Sequence, residues 1–479
     1  MGSVIHWAEL LVGPLHVILA LAVSGHIVLT KDDVRGAIGW VGLVWLTPIV
    51  GSLLYASFGV NRIRRQAGRR RGTRRPVPVP PGTIALASET APPVDTRWSG
   101  LARLVGATSR LPLTPANAVE PLSNGDVAYP AMLQAIENAE RSVALASYIF
   151  ERGQAGDRFV GALAEAAARG VEVRVLIDGV GARYGRAVRP MLRRRGVPTS
   201  LFLPPLMPLS HPYFNLRNHR KILVVDGRVG FCGGLNIRDA CLLKLNRHDA
   251  TQDVHFRMTG PVVGQLLACF AEDWRFAAHE RLEGAAWEVC TDGEPGGDVL
   301  ARGVPDGPDE NFQVLVLTLL GAIAQARERI RIVTPYFLPD QPLVDALKVA
   351  ALRGVEVELV LPEHGNLQMV EWAAWAQLPQ VMRWGCRVIL SQPPFDHSKI
   401  MTVDGGWALV GSANWDPRSL RLNFEYCVEG YSADLTRRLD ALIDEKVSRG
   451  RELPLGELLG RGLLRRLRDG AMWLAQPYL

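Results

Sequence analysis

The sequence predicts an α/β protein built from two similar halves around a pseudo-twofold, preceded by a two-helix transmembrane hairpin. Three observations carry that expectation. A short motif occurs twice, as HRKILVVD at 219–226 and HSKIMTVD at 397–404. A longer helix–strand–helix–strand pattern precedes each copy, over 130–179 and 312–361. Two apolar runs, 10–30 and 37–59, hold no Lys, Arg, Asp or Glu and are long enough to cross a bilayer.

Taken from the N-terminus, the first run has no positive region before it, and Glu9 stands where one would be, which argues against a cleaved signal peptide. The linker KDDVR between the runs is too short for a domain, so residues 1–60 read as a helical hairpin. The block 62–75 carries eight Arg and no acid. By the positive-inside rule it places both ends of the hairpin, and the globular part after it, on the cytoplasmic side of the cell inner membrane. The same charges suit anionic lipid. Residues 76–96 are Pro-rich without a period, so 61–96 read as an Arg/Pro-rich linker. The chain has 54 basic and 48 acidic residues among its 479, and this block accounts for the basic excess. The six Cys show no CxxC spacing and read as free thiols. No metal ligand set and no cofactor signature is present.

From 97 onward the internal repeat takes over. In each copy an amphipathic helix leads into a β-rich run (SYIF at 147–150, TPYF at 334–337), then a second helix, an Arg-Gly stop and a strand beginning Val-Glu-Val. Helical periods alternating with continuous apolar strands indicate α/β layers with a buried sheet. The pairs Arg169-Gly170 and Arg353-Gly354 are helix stops. The first half is set at 97–295 and the second at 296–450. Each ends in its motif, where Asp226-Gly227 or Asp404-Gly405 is a hairpin turn between apolar strands. His219 and Lys221, and likewise His397 and Lys399, are expected on one strand, two apart and so facing one way. The clusters Gly233-Gly234-Leu235-Asn236 and Gly411-Ser412-Ala413-Asn414 leave the partner strand beside them.

That face is built for an anion. Lys supplies fixed charge, the small-residue exit supplies N–H groups at Gly234 and Ser412, and Asn236 and Asn414 add amide donors. Each His can act as nucleophile or acid/base near neutral pH. Further on, TQDVHF and NFEYCV align Asp253 with Glu425, acids that can hold the far nitrogen of an imidazole.

The doubled motif resembles the phospholipase D superfamily. SYIFE at 147–151, NHRKILVVDG at 218–227, GGLNIRD at 233–239, TPYFLPD at 334–340 and GSANWDPRSLRLNFE at 411–425 are similar to bacterial cardiolipin synthases. The resemblance runs from about residue 10 to the end. It implies two phospholipase D-like halves and a phosphatidyltransferase that converts two phosphatidylglycerol molecules into cardiolipin and glycerol through a phosphatidyl-histidine. Carried over by motif, His219 and His397 are nucleophile and acid/base, with superfamily habit favouring attack by His219. Lys221 and Lys399 bind phosphate, and Asp226 and Asp404 are structural more than chemical. Two departures stand out. Thr251-Gln252 precede the acid where a Trp is usual, and 388–392 (VILSQ) replaces an aromatic stretch. Expected partners are phosphatidylglycerol, other anionic phospholipids and the bilayer, with no nucleic acid and with homo-oligomerisation left open. A phospholipase D-type hydrolase or another phosphatidyltransferase is the nearest alternative. A nuclease would want aromatic-basic interleaving that is missing, and intact motifs in both halves oppose an inactive membrane scaffold. The tail 451–479 mixes Leu at helical spacing with Arg, the composition of an amphipathic helix that lies on a membrane or docks on the second half.

Overall fold

The repeat produces a mirrored sheet. The computed structural model describes residues 2–31, 34–56, 94–204, 216–245, 250–290 and 297–476, and divides into two compact units, 1–72 and 73–479. In the larger unit the first half contributes β1 (Thr114–Ser123), β2 (Ser142–Ser147), β3 (Glu172–Asp178), β4 (Thr199–Phe202), β5 (Arg217–Asn218), β6 (Ile222–Val225), β7 (Val229–Gly233), β8 (Thr251–Gln252) and β9 (Val254–Thr259). The second contributes β10 (Val299–Asp306), β11 (Arg329–Val333), β12 (Glu356–Pro362), β13 (Arg387–Ser391), β14 (Phe395–Asp396), β15 (Ile400–Val403), β16 (Trp407–Gly411), β17 (Asn423–Tyr431) and β18 (Arg451–Glu452). Read outward from the centre, one side runs β1-β9-β7-β6-β2-β3-β4 and the other β10-β17-β16-β15-β11-β12-β13, with β18 beyond. The central pair β1–β10 is antiparallel, as a twofold between them requires.

Each half explains its own layers. β2 is buried along its whole length, and β2 and β3, like β11 and β12, pair in parallel through crossover helices Gln154–Ala168 and Gln341–Leu352. Both helices stop at the predicted Arg-Gly pairs, with Gly170 at φ 91° and Gly354 at φ 90°, a left-handed conformation that glycine adopts without Cβ strain. The apolar faces gather into one core per half, around Phe159 and Val175 in the first and Leu347 and Leu359 in the second. None of the six cysteines is joined in a disulfide.

The smaller unit departs from two straight spans. Gly2–Thr30 is one helix, and its stretch Gly13–Thr30 is long and apolar enough to cross a membrane. The second run is broken. Val34–Leu46 has 13 residues, about 20 Å of helix against a hydrocarbon core of about 30 Å. Pro48 and Ile49, at φ 60°, then turn the chain back into Val50–Leu54. A Cβ on Gly51 would lie 2.5 Å from the Leu43 carbonyl, which shows how tightly the turn closes. Polar contacts tie the pieces to the first helix: Trp45 Nε1 donates to Ser24 Oγ at 3.1 Å, and His26 Nδ1 meets the Tyr55 hydroxyl at 2.9 Å. Residues 57–93, with the Arg-rich block and the Pro-rich linker, lie outside the described residues.

The tail docks. Helix Leu463–Leu474 lies against Gln368–Gln377, its Met472 and Trp473 packed with Leu338, Val370 and Ala373.

Candidate active site

Both DG turns form as expected, with Asp226 and Gly227 at φ 54° and 64° and Asp404 and Gly405 at φ 49° and 63°. Positive φ at two successive residues is the type I′ hairpin turn. Asp226 accepts backbone N–H bonds from Glu140, Arg141 and Ser142 at 3.0, 2.7 and 2.9 Å. Asp404 accepts them from Arg327, Glu328 and Arg329 at 2.7, 2.9 and 2.6 Å. In each half the motif aspartate therefore ties the hairpin to the loop entering β2 or β11.

His219, Lys221, His397 and Lys399 differ from expectation in one respect. They sit not on a strand but in the connections 219–221 and 397–399 just before β6 and β15. The reason lies one step upstream, where the chain leaves its own half. β5 pairs with β17, Arg217 opposite Asn423 and Asn218 opposite Phe424. β14 pairs with β8, Phe395 opposite Thr251 and Asp396 opposite Gln252. Asn218 Oδ1 and Asp396 Oδ1 then accept the N–H two residues on, Arg220 at 3.1 Å and Ser398 at 3.0 Å, and these Asx turns bend both connections alike.

This exchange crosses the histidines. His219 N–H donates to Phe424 O at 2.9 Å and His397 N–H to Gln252 O at 2.7 Å, so each imidazole lies beside the next residue of the other half. His219 Nδ1 is 3.0 Å from Glu425 Oε2, and His397 Nδ1 is 2.8 Å from Asp253 Oδ2. A carboxylate accepting from Nδ1–H leaves Nε2 with its lone pair. Ring edges fix the planes: Tyr148 against His219 at 5.1 Å, Tyr336 and Phe395 against His397 at 6.3 and 6.0 Å.

The lysines complete the site. Lys221 Nζ donates to His219 O at 2.8 Å and Lys399 Nζ to His397 O. Both are buried. Burial brings Lys221 down to about 7 and Lys399 to about 8, each lysine also lowering the other or the opposite histidine. Burial, with Lys399, lowers His397 to about 4. It lowers His219 too, against the pull of Glu425. Burial alone would raise Glu425, but His219, Lys221 and the Ser412 hydroxyl outweigh it and keep the carboxylate ionised. Two depressed lysines and two neutral histidines leave the site room for negative charge.

The small-residue exits divide their labour unevenly. Ser412 Oγ donates to Glu425 at 2.5 Å and accepts from Tyr426 N–H at 3.0 Å, so its hydroxyl holds the acid rather than facing an incoming phosphate. Its counterpart Gly234 gives way to the other acid: a Cβ there would stand 2.4 Å from the Asp253 carboxylate. Asn236 Oδ1 accepts from Ile149 N–H at 3.1 Å, leaving its NH₂ as donor, while Asn414 Oδ1 is buried without a partner among the described residues. Sequence reasoning missed the support behind the motif. Arg220 is fully buried, bonds Asp273 at 2.8 and 2.7 Å and donates Nε–H to the Glu425 carbonyl at 3.0 Å. Lys446 pairs with Asp396 at 2.7 Å. No spacing or period signalled this, because Arg220 sits between two polar motif residues and Asp273 on a distant helix. The unusual Gln252 has a structural task, donating Nε2–H to Pro394 O at 2.8 Å beside the β8–β14 pair.

Residues 132–274 and 319–447 match the family described as "Cardiolipin synthase, PLD-like domain". The chain is 31% identical over 90% of its length to cardiolipin synthase from Geobacillus kaustophilus, covering 87% of that protein. It is 34% identical to cardiolipin synthase A from Pseudomonas fluorescens, with 88% of each chain covered. Among solved structures, phosphatidylserine synthase from Haemophilus influenzae superposes with a TM-score of 0.61 at 15% identity, covering 79% of this chain and all of that one, a likeness of fold.

Proposed function

Because the chain belongs to the cardiolipin synthase family with phospholipase D-like domains, we propose that it transfers a phosphatidyl group between two phosphatidylglycerol molecules, giving cardiolipin and free glycerol. The observation that carries this reading is the crossed pair of imidazole–carboxylate contacts, His219 with Glu425 and His397 with Asp253, around two buried lysines.

In the first step His219 Nε2 attacks phosphorus while His397, neutral in the free site and taking up a proton at Nε2 when the phosphodiester anion binds beside it, gives that proton to the departing glycerol oxygen. The P–O bond breaks as the P–N bond forms, leaving a phosphatidyl-histidine and glycerol. In the second, neutral His397 takes the proton of a glycerol hydroxyl on the second phosphatidylglycerol. That oxygen attacks phosphorus, and His219 leaves unchanged. Lys221, Lys399 and the amides of Asn236 and Asn414 offset the charge that grows on the phosphoryl oxygens in both steps. Glu425 and Asp253 hold the tautomers and stabilise each imidazolium as it forms. Hydrolysis differs only in water entering second.

Incubation of the purified protein with phosphatidylglycerol tests the assignment. Cardiolipin and glycerol should form in equal amounts with little phosphatidic acid, and chelators should leave the rate unchanged. A product dominated by phosphatidic acid moves the reading to a hydrolase.

The chain is membrane-associated, with one N-terminal apolar helix of spanning length. The finer topology we infer is multi-pass in the cell inner membrane, with the catalytic part on the cytoplasmic side. It rests on the eight Arg of 62–75 and needs the turn at Pro48 to open within the bilayer. Protease access to an N-terminal tag tests it: two crossings leave the tag on the cytoplasmic side, one crossing places it opposite.

A further inference from the structure

The docked tail turns its apolar side the wrong way for a helix that merely caps a domain. Its inward side is made by Met472 and Trp473 and by Asp469, buried at 3% exposure between Arg461 at 2.8 Å and Arg468 at 2.7 Å. Arg468 and Arg461 lie over Trp372 and Trp375, 4.1 and 4.9 Å from the ring centres. The outward side is leucine: Leu463, Leu464, Leu467 and Leu474, with Leu464 82% and Leu474 74% exposed. At 100° per residue these fall on one stripe. Leu367 and Met369, at the start of the partner helix, are exposed as well.

Basic residues rim this stripe. Arg465 and Arg466 are exposed, and Arg383 and Arg466 line one cleft of about 420 Å³ with Arg461, Leu459, Leu463 and Leu467. Within 459–476 the single acid is Asp469, already spent on two arginines. A water-soluble partner surface gives no reason for bare leucines hemmed by cations, whereas an anionic bilayer offers both an apolar interior and phosphates. The surface also reaches the site, because the residues that seat Met472 and Trp473 pack Tyr336, whose ring lies against His397.

We propose that the 463–474 helix and the 367–384 segment form a docking surface for anionic phospholipid bilayer. The leucine stripe enters the interface and the arginine-lined cleft receives lipid phosphate, which sets the His397 side of the site against the lipid that supplies substrate.

The test uses the full chain in vesicles. A nitroxide is placed by Leu464→Cys in a background where the half-exposed Cys290 is Ser. In vesicles containing phosphatidylglycerol its collisions should favour lipid-dissolved oxygen over an aqueous nickel complex. That preference should fall in pure phosphatidylcholine, and Arg383→Gln/Arg466→Gln should erase the dependence on phosphatidylglycerol. Water-like collisions in phosphatidylglycerol vesicles, or shielding from both reagents as a protein neighbour would give, overturn the proposal. A second readout rests on the transferase reading above. Leu464→Asp/Leu467→Asp should lower turnover of bilayer phosphatidylglycerol about tenfold while leaving monomeric short-chain phosphatidylglycerol within about twofold. Equal losses on both, or on neither, reject the docking role. Turnover of the monomeric lipid by the unmodified chain checks the transferase reading separately.

Discussion

At His219 the ring is held by Glu425 and at His397 by Asp253, so each imidazole depends on a carboxylate that its own half does not supply. That dependence makes a grouping experiment possible. With a nitrophenyl phosphodiester the leaving group needs no proton, so variants lacking only the acid should still be phosphorylated. His397→Ala and Asp253→Asn should release a burst of nitrophenol and accumulate a phosphatidyl-enzyme. His219→Ala and Glu425→Gln should show no burst. If Asp253→Asn groups with His219→Ala, the crossed assignment is wrong. On phosphatidylglycerol both acid variants should lose about a thousandfold or more in turnover, the scale seen when an imidazole loses its orienting carboxylate. The motif residues were legible in the sequence because two copies show the same types at the same offsets, and the acids Asp253 and Glu425 because similar strand-like stretches, TQDVHF and NFEYCV, follow each copy. Which acid serves which histidine was not, since alignment within a half says nothing about contacts between halves.

Among the elements, the two DG hairpins carry the same backbone but different surroundings. Gly227 at φ 64° would bring a Cβ to 2.6 Å from the Glu288 carbonyl, whereas Gly405 at φ 63° has nothing within 4 Å. Gly405→Ala should therefore cost only the left-handed strain, about 1 kcal/mol. Gly227→Ala should cost more, because backbone must also shift. Thermal midpoints of the two variants check this, and an equal or larger loss for Gly405→Ala would count against the packing argument. Turns, Arg-Gly stops and crossover helices were all readable, each being set by local chemistry over a few residues. The two-residue strands β5, β8 and β14 were not. Their apolar pattern is too short to register, and they exist because the other half offers them an edge. The broken second apolar run is a related case. Hydropathy averaged over 37–59 reads a span, while Pro48 interrupts the hydrogen-bond ladder at a single point.

For the whole molecule the titration of the two buried lysines has two opposite consequences. In the empty enzyme Lys221 sits at about 7 and Lys399 at about 8, chiefly through burial, so kcat/KM should fall as pH rises through 7 to 8 and the site loses its attraction for a phosphodiester. Unfolded lysines hold their protons to about pH 10. Between about 7 and 10 the unfolded chain thus binds more protons, and stability gains with pH. The thermal midpoint of the wild type relative to Lys221→Met should rise from pH 7 to 9 while kcat/KM declines; a parallel fall of both would contradict the buried-lysine account. Seen at this scale, the sequence by itself determined that there are two α/β halves, that each delivers a His–Lys motif and an acid, and that an Arg-rich, apolar tail follows. Those properties repeat or alternate along the chain, where period and spacing expose them. Only the tertiary structure decided that each half strands itself onto the other to pair His219 with Glu425 and His397 with Asp253, that Ser412 serves Glu425, and that the tail docks with its leucines outward. Those outcomes depend on which surfaces meet across the pseudo-twofold and against the 368–377 helix, and contact between distant segments leaves no period in a sequence.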